Sequence, residues 1–295
     1  MNTTQIGVIG AGELGQALGH VLEKAGSQVL YYDQRDEHTT TASISDVVDA
    51  CQLLLICVPS NANREVLREI AKHTKPDNPP LVLSLSKGVE GGFKTMDQVL
   101  AETLPKGTPY GLIYGPMLAS ELIAHTMVTG VMTLSDPEYA APVREMFARA
   151  RVFLELSSDI RGVAVSGVLR NPYAMAFGMS DGLDLGANAR GRMAVMILRE
   201  MKRIMKDVGA KPETAEGLAG LGDLLAAVSG NSFNYRLGRS IAEGIADGKV
   251  NTEGLNALKE LPHIIKLEEY PLMHLMHKMI YEYEDPHALQ QFLES

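Results

Sequence analysis

The segment Gly10-Ala11-Gly12-Glu13-Leu14-Gly15 places three glycines at fixed spacing, behind the apolar run Gln5–Ile9 and ahead of a helix-period stretch. A dinucleotide pyrophosphate needs that arrangement. Gly10 permits a tight turn, Gly12 lets backbone approach the phosphates, Gly15 lets the helix pack close to the strand, and the helix N-terminus supplies N–H donors and a positive dipole. A chance glycine-rich turn is the plain alternative. Asp33 follows the next apolar run, where a carboxylate accepts both ribose hydroxyls and repels a 2′-phosphate. That favours NAD over NADP. Arg35 nearby keeps NADP open, and an ordinary turn aspartate is the simpler reading.

Other reactive side chains close apolar runs in the same way. Lys87 follows Leu81–Ser86, and at the carboxyl end of a parallel strand it points into a ligand crevice, although a solvated surface lysine explains it equally well. Gly115-Pro116 ends a later run and needs nothing more than a turn. Arg170-Asn171 interrupts the apolar stretch Val163–Met179, where both groups are costly to bury without partners, and Pro172 marks a kink or a helix start. Gly217–Asp223 reads as a capping turn with Asp223 as N-cap. Ser232-Phe233-Asn234 reads as a polar turn. The eight histidines have no companions at zinc spacing, so no metal is expected, and no nucleophile elbow supports a hydrolase.

These residues need a scaffold, and the chain divides to provide one. Short apolar runs at Gln5–Ile9, Gln28–Tyr32, Gln52–Val58, Leu81–Ser86, Tyr110–Tyr114, Val128–Leu134 and Val152–Leu156 alternate with helical segments at Gly12–Ala25, Asn63–His73, Thr95–Thr103 and Pro137–Ala150. That alternation predicts an α/β domain over 1–156, a doubly wound parallel sheet of the Rossmann type. Strand signals stop after Leu156. Met193, Ile197, Met201, Ile204 and Val208 share one face of a helix ending at Gly209, so 157–295 is expected to be all helical. The polar run Thr39–Thr41 reads as a short loop.

Composition narrows the function class. With 295 residues, 45% hydrophobic and 21% charged, the chain is long enough for two globular domains. A net charge of −9 without a basic cluster argues against a phosphate-driven grip on nucleic acid. No run approaches a membrane span, and the N-terminus lacks the basic start of a secretory signal. Cys51 and Cys57 flank an apolar run and read as buried small hydrophobes in a reducing compartment, so a cytoplasmic protein is expected.

Taken in order, the motifs resemble those of the bacterial NAD(P)-dependent glycerol-3-phosphate dehydrogenase family over most of the chain. The resemblance rests on Gly10–Gly15 with Ala17-Leu18, Val58-Pro59-Ser60, Lys87-Gly88-Val89-Glu90 and Gly115-Pro116 with Ala119 and Glu121. It continues through Asn171, Asp181-Gly182-Leu183, Asn188-Ala189-Arg190, Glu200-Met201, Pro212-Glu213-Thr214, Gly217–Asp223 and Asn234 through Gly238. It implies a sheet domain followed by a helical substrate domain, hydride transfer between nicotinamide and the secondary alcohol carbon of a small phosphorylated triol, no metal, and a homodimer. By position it implies that Gly10, Gly12, Glu13, Leu14, Gly15, Asp33, Pro59, Lys87, Ala119 and Glu253 serve the cofactor. Gly115, beside the nicotinamide, joins Asn171, Ser232 and Asn234 on the substrate side, and Lys87, Arg170 and Asp223 form the catalytic set.

Departures fall among those same positions. Where the family carries a catalytic lysine this chain has Arg170, where it carries a phosphate-binding arginine it has Phe233, and where it carries a serine after Gly115-Pro116 it has Met117. The 223–234 loop is one residue shorter and the 36–43 segment much shorter than the family pattern. An arginine does not release its proton near neutrality, so Arg170 orients and polarises while Lys87 takes over proton transfer. Losing a charged hydrogen bond to phosphate removes about 1.5–3 kcal/mol of binding. The resemblance therefore implies a dehydrogenase of this family, acting either on a shifted substrate or on glycerol 3-phosphate with weakened turnover, the competing reading being a cofactor-binding redox sensor with little turnover.

Overall fold

The structure, a computed structural model, describes residues 4–41, 43–229, 232–246 and 250–295. Its chain forms two compact units, one of Met1–Lys87 with Met96–Ile160, the other of Gly88–Thr95 with Arg161–Ser295. The hairpin Gly88–Thr95 thus belongs to the second unit although it lies early in the sequence.

The strands are β1 Gln5–Ile9, β2 Gln28–Tyr32, β3 Leu53–Ile56, β4 Leu81–Ser84, β5 Val89–Glu90, β6 Lys94–Thr95, β7 Tyr110–Tyr114, β8 Val128–Leu134 and β9 Val152–Leu156. In the first unit the sheet order is β2-β1-β3-β4-β7-β8-β9. Its helices are α1 Glu13–Lys24, α2 Ile44–Ala50, α3 Asn63–His73, α4 Met96–Thr103, α5 Ala119–Ile123 and α6 Ala140–Arg149. The sheet is doubly wound. Ile6 and Val8 of β1 share a core cluster with Leu18 and Leu22 of α1, whereas a Cβ on the intervening Gly7 would strike Val47 of α2 at 2.2 Å. Successive strand residues face opposite sides, so α1 and α2 cover opposite faces of this Rossmann-like sheet.

The expectation of an all-parallel sheet fails at one pair. β1, β2, β3, β4 and β7 run parallel, but β8 is antiparallel to β7. The link between them carries only the five-residue α5, which spans about 7.5 Å at ~1.5 Å per residue. A crossover to a parallel neighbour usually carries a helix that runs back along the strand's ~16 Å; this link has none of that length, and β8 starts from the carboxyl edge. The Thr39–Thr41 loop also does more than connect. Thr40 exchanges backbone and side-chain hydrogen bonds with Tyr31, covering the exposed edge of β2. Cys51 is buried as expected, while Cys57 is only partly so; desolvation pushes both thiols up to about 12.

The second unit contains α7 Ile160–Gly182, α8 Gly186–Asp207, α9 Asp223–Ala227, α10 Phe233–Ala242, α11 Glu253–Glu260, α12 Pro271–Tyr281 and α13 Ala288–Glu294. Every described element from Ile160 onward is helical, as expected, and the unit gains its one strand pair, β5 with β6, from the earlier hairpin. Met193, Ile197, Met201 and Ile204 are fully buried on one face of α8. Glu200 on the same helix is buried too. It accepts from Tyr173 Oη at 2.9 Å and from Leu272 N and Met273 N at 2.7 and 3.1 Å, satisfying the first turn of α12. Desolvation raises its carboxyl above the ordinary range.

Helices α7 and α10 cross without side chains at the point of contact. A Cβ on Gly178 would lie 2.0 Å from Tyr235 O, and one on Gly238 would lie 2.1 Å from Met175 O. Both neighbours are backbone, so neither yields cheaply. Gly178→Val is expected to lower the unfolding free energy by at least about 2 kcal/mol through overpacking, as measured by urea denaturation, and to lower it more than Gly217→Val, whose Cβ meets only Thr214 O at 3.6 Å.

Candidate functional site

In the first unit the candidate residues gather at the carboxyl ends of the parallel strands. The turn after β1 depends on glycine in three distinct ways. Gly10 has φ +96°, a conformation other residues resist, and a Cβ there would lie 2.7 Å from backbone atoms of Cys57 and Val58. A Cβ on Gly15 would lie 2.1 Å from Gly10 O. Gly12, by contrast, has nothing within 4 Å of its Cβ position. It is the N-cap of α1, and no side chain caps the helix there. Open space over Gly12 at the end of a 12-residue helix is what an anionic pyrophosphate requires. Glu13 is exposed and Leu14 half-buried on the same first turn.

Asp33 lies one residue beyond β2. Its Oδ2 accepts from Ala11 N at 2.8 Å and its Oδ1 from Arg35 Nε at 3.1 Å. The Arg35 hydrogen bond holds the carboxyl below its ordinary range, so Asp33 is an anion tied directly to the glycine turn. Thr39 Oγ1 accepts from Asp33 N at 2.9 Å and fixes its backbone. Pro59 is exposed at the start of the turn beyond β3, and Ala119 is half-buried as the first residue of α5.

Lys87 lies three residues beyond β4. Its Nζ donates to Gly115 O at 2.9 Å and stands 5.7 Å from the centre of the Tyr114 ring. Gly115 itself has φ +114°, and a Cβ there would press on Gly130 Cα at 3.0 Å. Lys87 and Gly115 are therefore brought together. Met117, by contrast, packs into the core cluster of this unit.

The second unit assembles two polar pairs. Asn171 on α7 and Asn234 on α10 are both buried, and Asn234 Nδ2 donates to Asn171 Oδ1 at 3.1 Å. Asn234 Oδ1 accepts from Gly254 N at 3.2 Å, an approach that a Cβ on Gly254 would obstruct at 2.5 Å. Arg170 Nε lies 3.5 Å from Asp223 Oδ2. Asp223 is 2% exposed, while Arg170 Nε is buried without a hydrogen bond of its own. Asp223 is not an N-cap, because a π-helical turn over Leu218–Gly222 runs straight into α9. Such turns displace one residue from the regular ladder, and a Cβ on Gly220 would strike Ala215 O at 2.2 Å.

Ser232 is the N-cap of α10, and Phe233 beside it is 56% exposed. Glu253 opens α11 behind the N-cap Thr252, whose Oγ1 accepts from Leu255 N at 3.1 Å. Residues 230 and 231 of the shortened loop lie outside the described residues. The run Asp181 to Arg190 has its own explanation, since Arg190 Nη1 and Tyr235 Oη both bond Asp181 Oδ2 and join α7, α8 and α10. Sequence reading missed Tyr114, Ser86 and Asn256, whose hydrogen bonds flank Lys87 and Val89. Ser86 closes an apolar run, a weak signal at most, and Tyr114 and Asn256 gave none.

A glycine turn after the first strand of a Rossmann-like sheet, an acid after the second and a lysine beyond the fourth define an NAD(P)-dependent oxidoreductase. Comparison with known proteins carries this further. The N-terminal and C-terminal domains of NAD-dependent glycerol-3-phosphate dehydrogenase match residues 38–140 and 159–291, and the NAD binding domain of D-isomer specific 2-hydroxyacid dehydrogenase matches 1–72. A glycerol-3-phosphate dehydrogenase (NAD(P)+) of Pseudomonas savastanoi pv. phaseolicola is 31% identical over 96% of this chain and 92% of its own. One from Nitratidesulfovibrio vulgaris is 29% identical over 98% and 97%. The crystal structure of glycerol-3-phosphate dehydrogenase from Coxiella burnetii superposes with a TM-score of 0.89 at 27% identity, covering 99% of each chain. The chain belongs to the NAD-dependent glycerol-3-phosphate dehydrogenase family.

The open position of Gly12 separates binding from folding. Gly12→Val is expected to abolish NADH binding in calorimetry while changing the unfolding free energy by less than about 1 kcal/mol, a small N-cap effect. Retained NADH affinity in a folded Gly12→Val protein would show that the cofactor does not lie over this turn.

Proposed function

We propose that this oxidoreductase interconverts a small secondary alcohol and its ketone, with Lys87 exchanging the proton. The carrying observation is Lys87 Nζ at 2.9 Å from Gly115 O, on the strand edge that also bears the glycine turn. When bound, the nicotinamide supplies hydride exchange with the substrate carbon. Gly10, Gly12, Glu13, Leu14, Gly15, Asp33, Pro59, Ala119 and Glu253 hold the cofactor. Asn171, Ser232, Asn234 and Gly115 hold substrate. Arg170, paired with Asp223, orients and polarises the carbonyl oxygen, a role that suits a guanidinium with a fixed charge. Relatives and structural neighbours are dehydrogenases; they lend no support to a redox sensor without turnover.

Residues 1–156 serve the dinucleotide and 157–295 serve substrate and dimerisation. A cytoplasmic homodimer completes the proposal. Two free cysteines with raised thiols fit a reducing compartment, and no described helix is long and apolar enough to cross a membrane. No partner in nucleic acid is proposed.

NAD is the preferred cofactor, since a 2′-phosphate would meet the Asp33 carboxylate, while Arg35 beside it softens that repulsion. Asp33→Ser is expected to narrow the gap between NADH and NADPH dissociation constants and Arg35→Ala to widen it. Tighter NADPH binding by the wild type would reverse the assignment.

The substrate position is the weak point for a phosphomonoester, because exposed Phe233 supplies no charge at α10. Glycerol 3-phosphate is expected to turn over slowly. Arg170→Lys with Phe233→Arg should raise that rate by more than the product of the single effects. Lys87→Ala should lower kcat by at least about 10²-fold, the usual scale of general acid–base catalysis. Steady-state kinetics decide, and brisk wild-type turnover that survives Lys87→Ala would refute both the slow-substrate and the proton-transfer assignments.

A further inference from the structure

We propose that Tyr114 and Asn256 are positioning residues that clamp the main chain on either side of Lys87. On the amino side, Tyr114 Oη donates to Ser86 O, and Ser86 Oγ donates to Val58 O at 2.5 Å. On the carboxyl side, Asn256 Nδ2 donates to Val89 O at 2.8 Å. The first pin lies wholly within the first unit and the second wholly within the second; the link between them is covalent.

The second pin is rigid. Beyond Val89 the hairpin turns through Gly92 and Phe93, both with positive φ at +76° and +58°, the latter an uncommon conformation for a bulky side chain. Two contacts hold that turn. Glu260 Oε2 accepts from Gly92 N at 2.7 Å, and Val89 and Phe93 are each 1% exposed in the core cluster of the second unit. Lys87 is therefore one virtual bond of about 3.8 Å from a pinned residue on one side and two such bonds from a pinned residue on the other.

A lysine side chain is long and flexible, so its ammonium delivers a proton reproducibly only from a fixed base. Tyr114 contributes twice, its hydroxyl holding the chain at Ser86 and its ring standing 5.7 Å from Lys87 Nζ. The Asn256 amide acts on the main chain at Val89 O, the first residue of β5, so its effect on chemistry is transmitted through Val89. This inference rests on Lys87 as the proton-exchanging group.

Full-length Tyr114→Phe, Asn256→Ala and Lys87→Ala, with each of the first two also combined with the third, would be assayed for NADH oxidation with dihydroxyacetone phosphate. NADH dissociation constants would be measured by fluorescence. Tyr114→Phe keeps the ring and removes only the hydroxyl. Each clamp variant is expected to lower kcat about tenfold through misplacement of Lys87, with an unchanged NADH dissociation constant. Those losses should vanish in the Lys87→Ala background, as coupling through one residue requires. Asn256→Gln, which keeps a donor, should recover part of the rate. Independently of turnover, acetylation of Lys87 followed by peptide mass spectrometry should quicken at least about threefold in both variants as the local chain loosens. Wild-type kcat and wild-type Lys87 acetylation in folded variants would overturn the clamp, as would equal losses with and without Lys87. Activity that survives Lys87→Ala would instead overturn the role of Lys87, and the acetylation rates would still decide whether Tyr114 and Asn256 hold it.

Discussion

Backbone contact between Gly10 and Gly15 is the constraint on which the first unit depends. The end of β1 and the start of α1 approach so closely that a Cβ at position 15 would sit 2.1 Å from a carbonyl oxygen. At Gly10 the ends of three strands converge, with Gly10 N donating to Tyr32 O and Cys57 N donating to Ile9 O. Ala11 then offers its N–H to Asp33. One turn thus sets the aim of α1, the position of the acid and the spacing of the strand ends from which Pro59, Lys87 and Gly115 follow. Hydrogen bonding and side-chain packing refine that arrangement, but steric exclusion creates it.

The second unit solves a similar problem with helices. Gly178 and Gly238 let α7 and α10 cross backbone to backbone, which is the approach needed for Asn171 to meet Asn234. Pro172 sits inside α7 and lacks the N–H that would bond Val168 O. The π-helical turn before Asp223 is a second irregularity. Both features stand next to the polar pairs, the proline beside Asn171 and the π-helical turn immediately before Asp223. The π-helical turn offsets Asp223 from a regular ladder, while α7 continues unbroken through Pro172 and loses only one backbone hydrogen bond beside Asn171.

Much of this was legible in the sequence because it followed from period and punctuation. The runs Gln5–Ile9, Gln28–Tyr32, Tyr110–Tyr114, Val128–Leu134 and Val152–Leu156 coincide with strands, since short blocks rich in β-branched, aliphatic and aromatic residues between turn signals read as strands. Gln52–Val58 and Leu81–Ser86 were too long, because Cys57, Val58 and Leu85 extend the apolar pattern beyond the last ladder pair. The hairpin escaped notice because strands of two residues have no period to detect. The reversal of β8 goes with a connection that lacks a full crossover helix rather than with any residue type. Asp223 was misread because a glycine-rich segment before an acid looks like a cap whether or not helix precedes it. Tyr114 and Asn256 were invisible for a different reason: their partners are backbone carbonyls, and any sequence supplies those.

The hairpin also bears on how the chain becomes folded. Val89 and Phe93 are synthesised early but belong to the core cluster of the second unit, and Val89 O waits for Asn256, 167 positions later. Contacts of such separation carry a loop-closure cost that must be met before they return any stability. During synthesis a two-residue strand and a large aromatic ring remain without their mates while about two thirds of the chain is still to come. A ribosome-bound nascent protein would therefore expose this segment for longer than any other part of the early sequence that ends up buried in the later half. Cutting the gene at the boundary between sheet and helices would leave it stranded on the wrong fragment, so the two units, though compact, are inherited and folded as one.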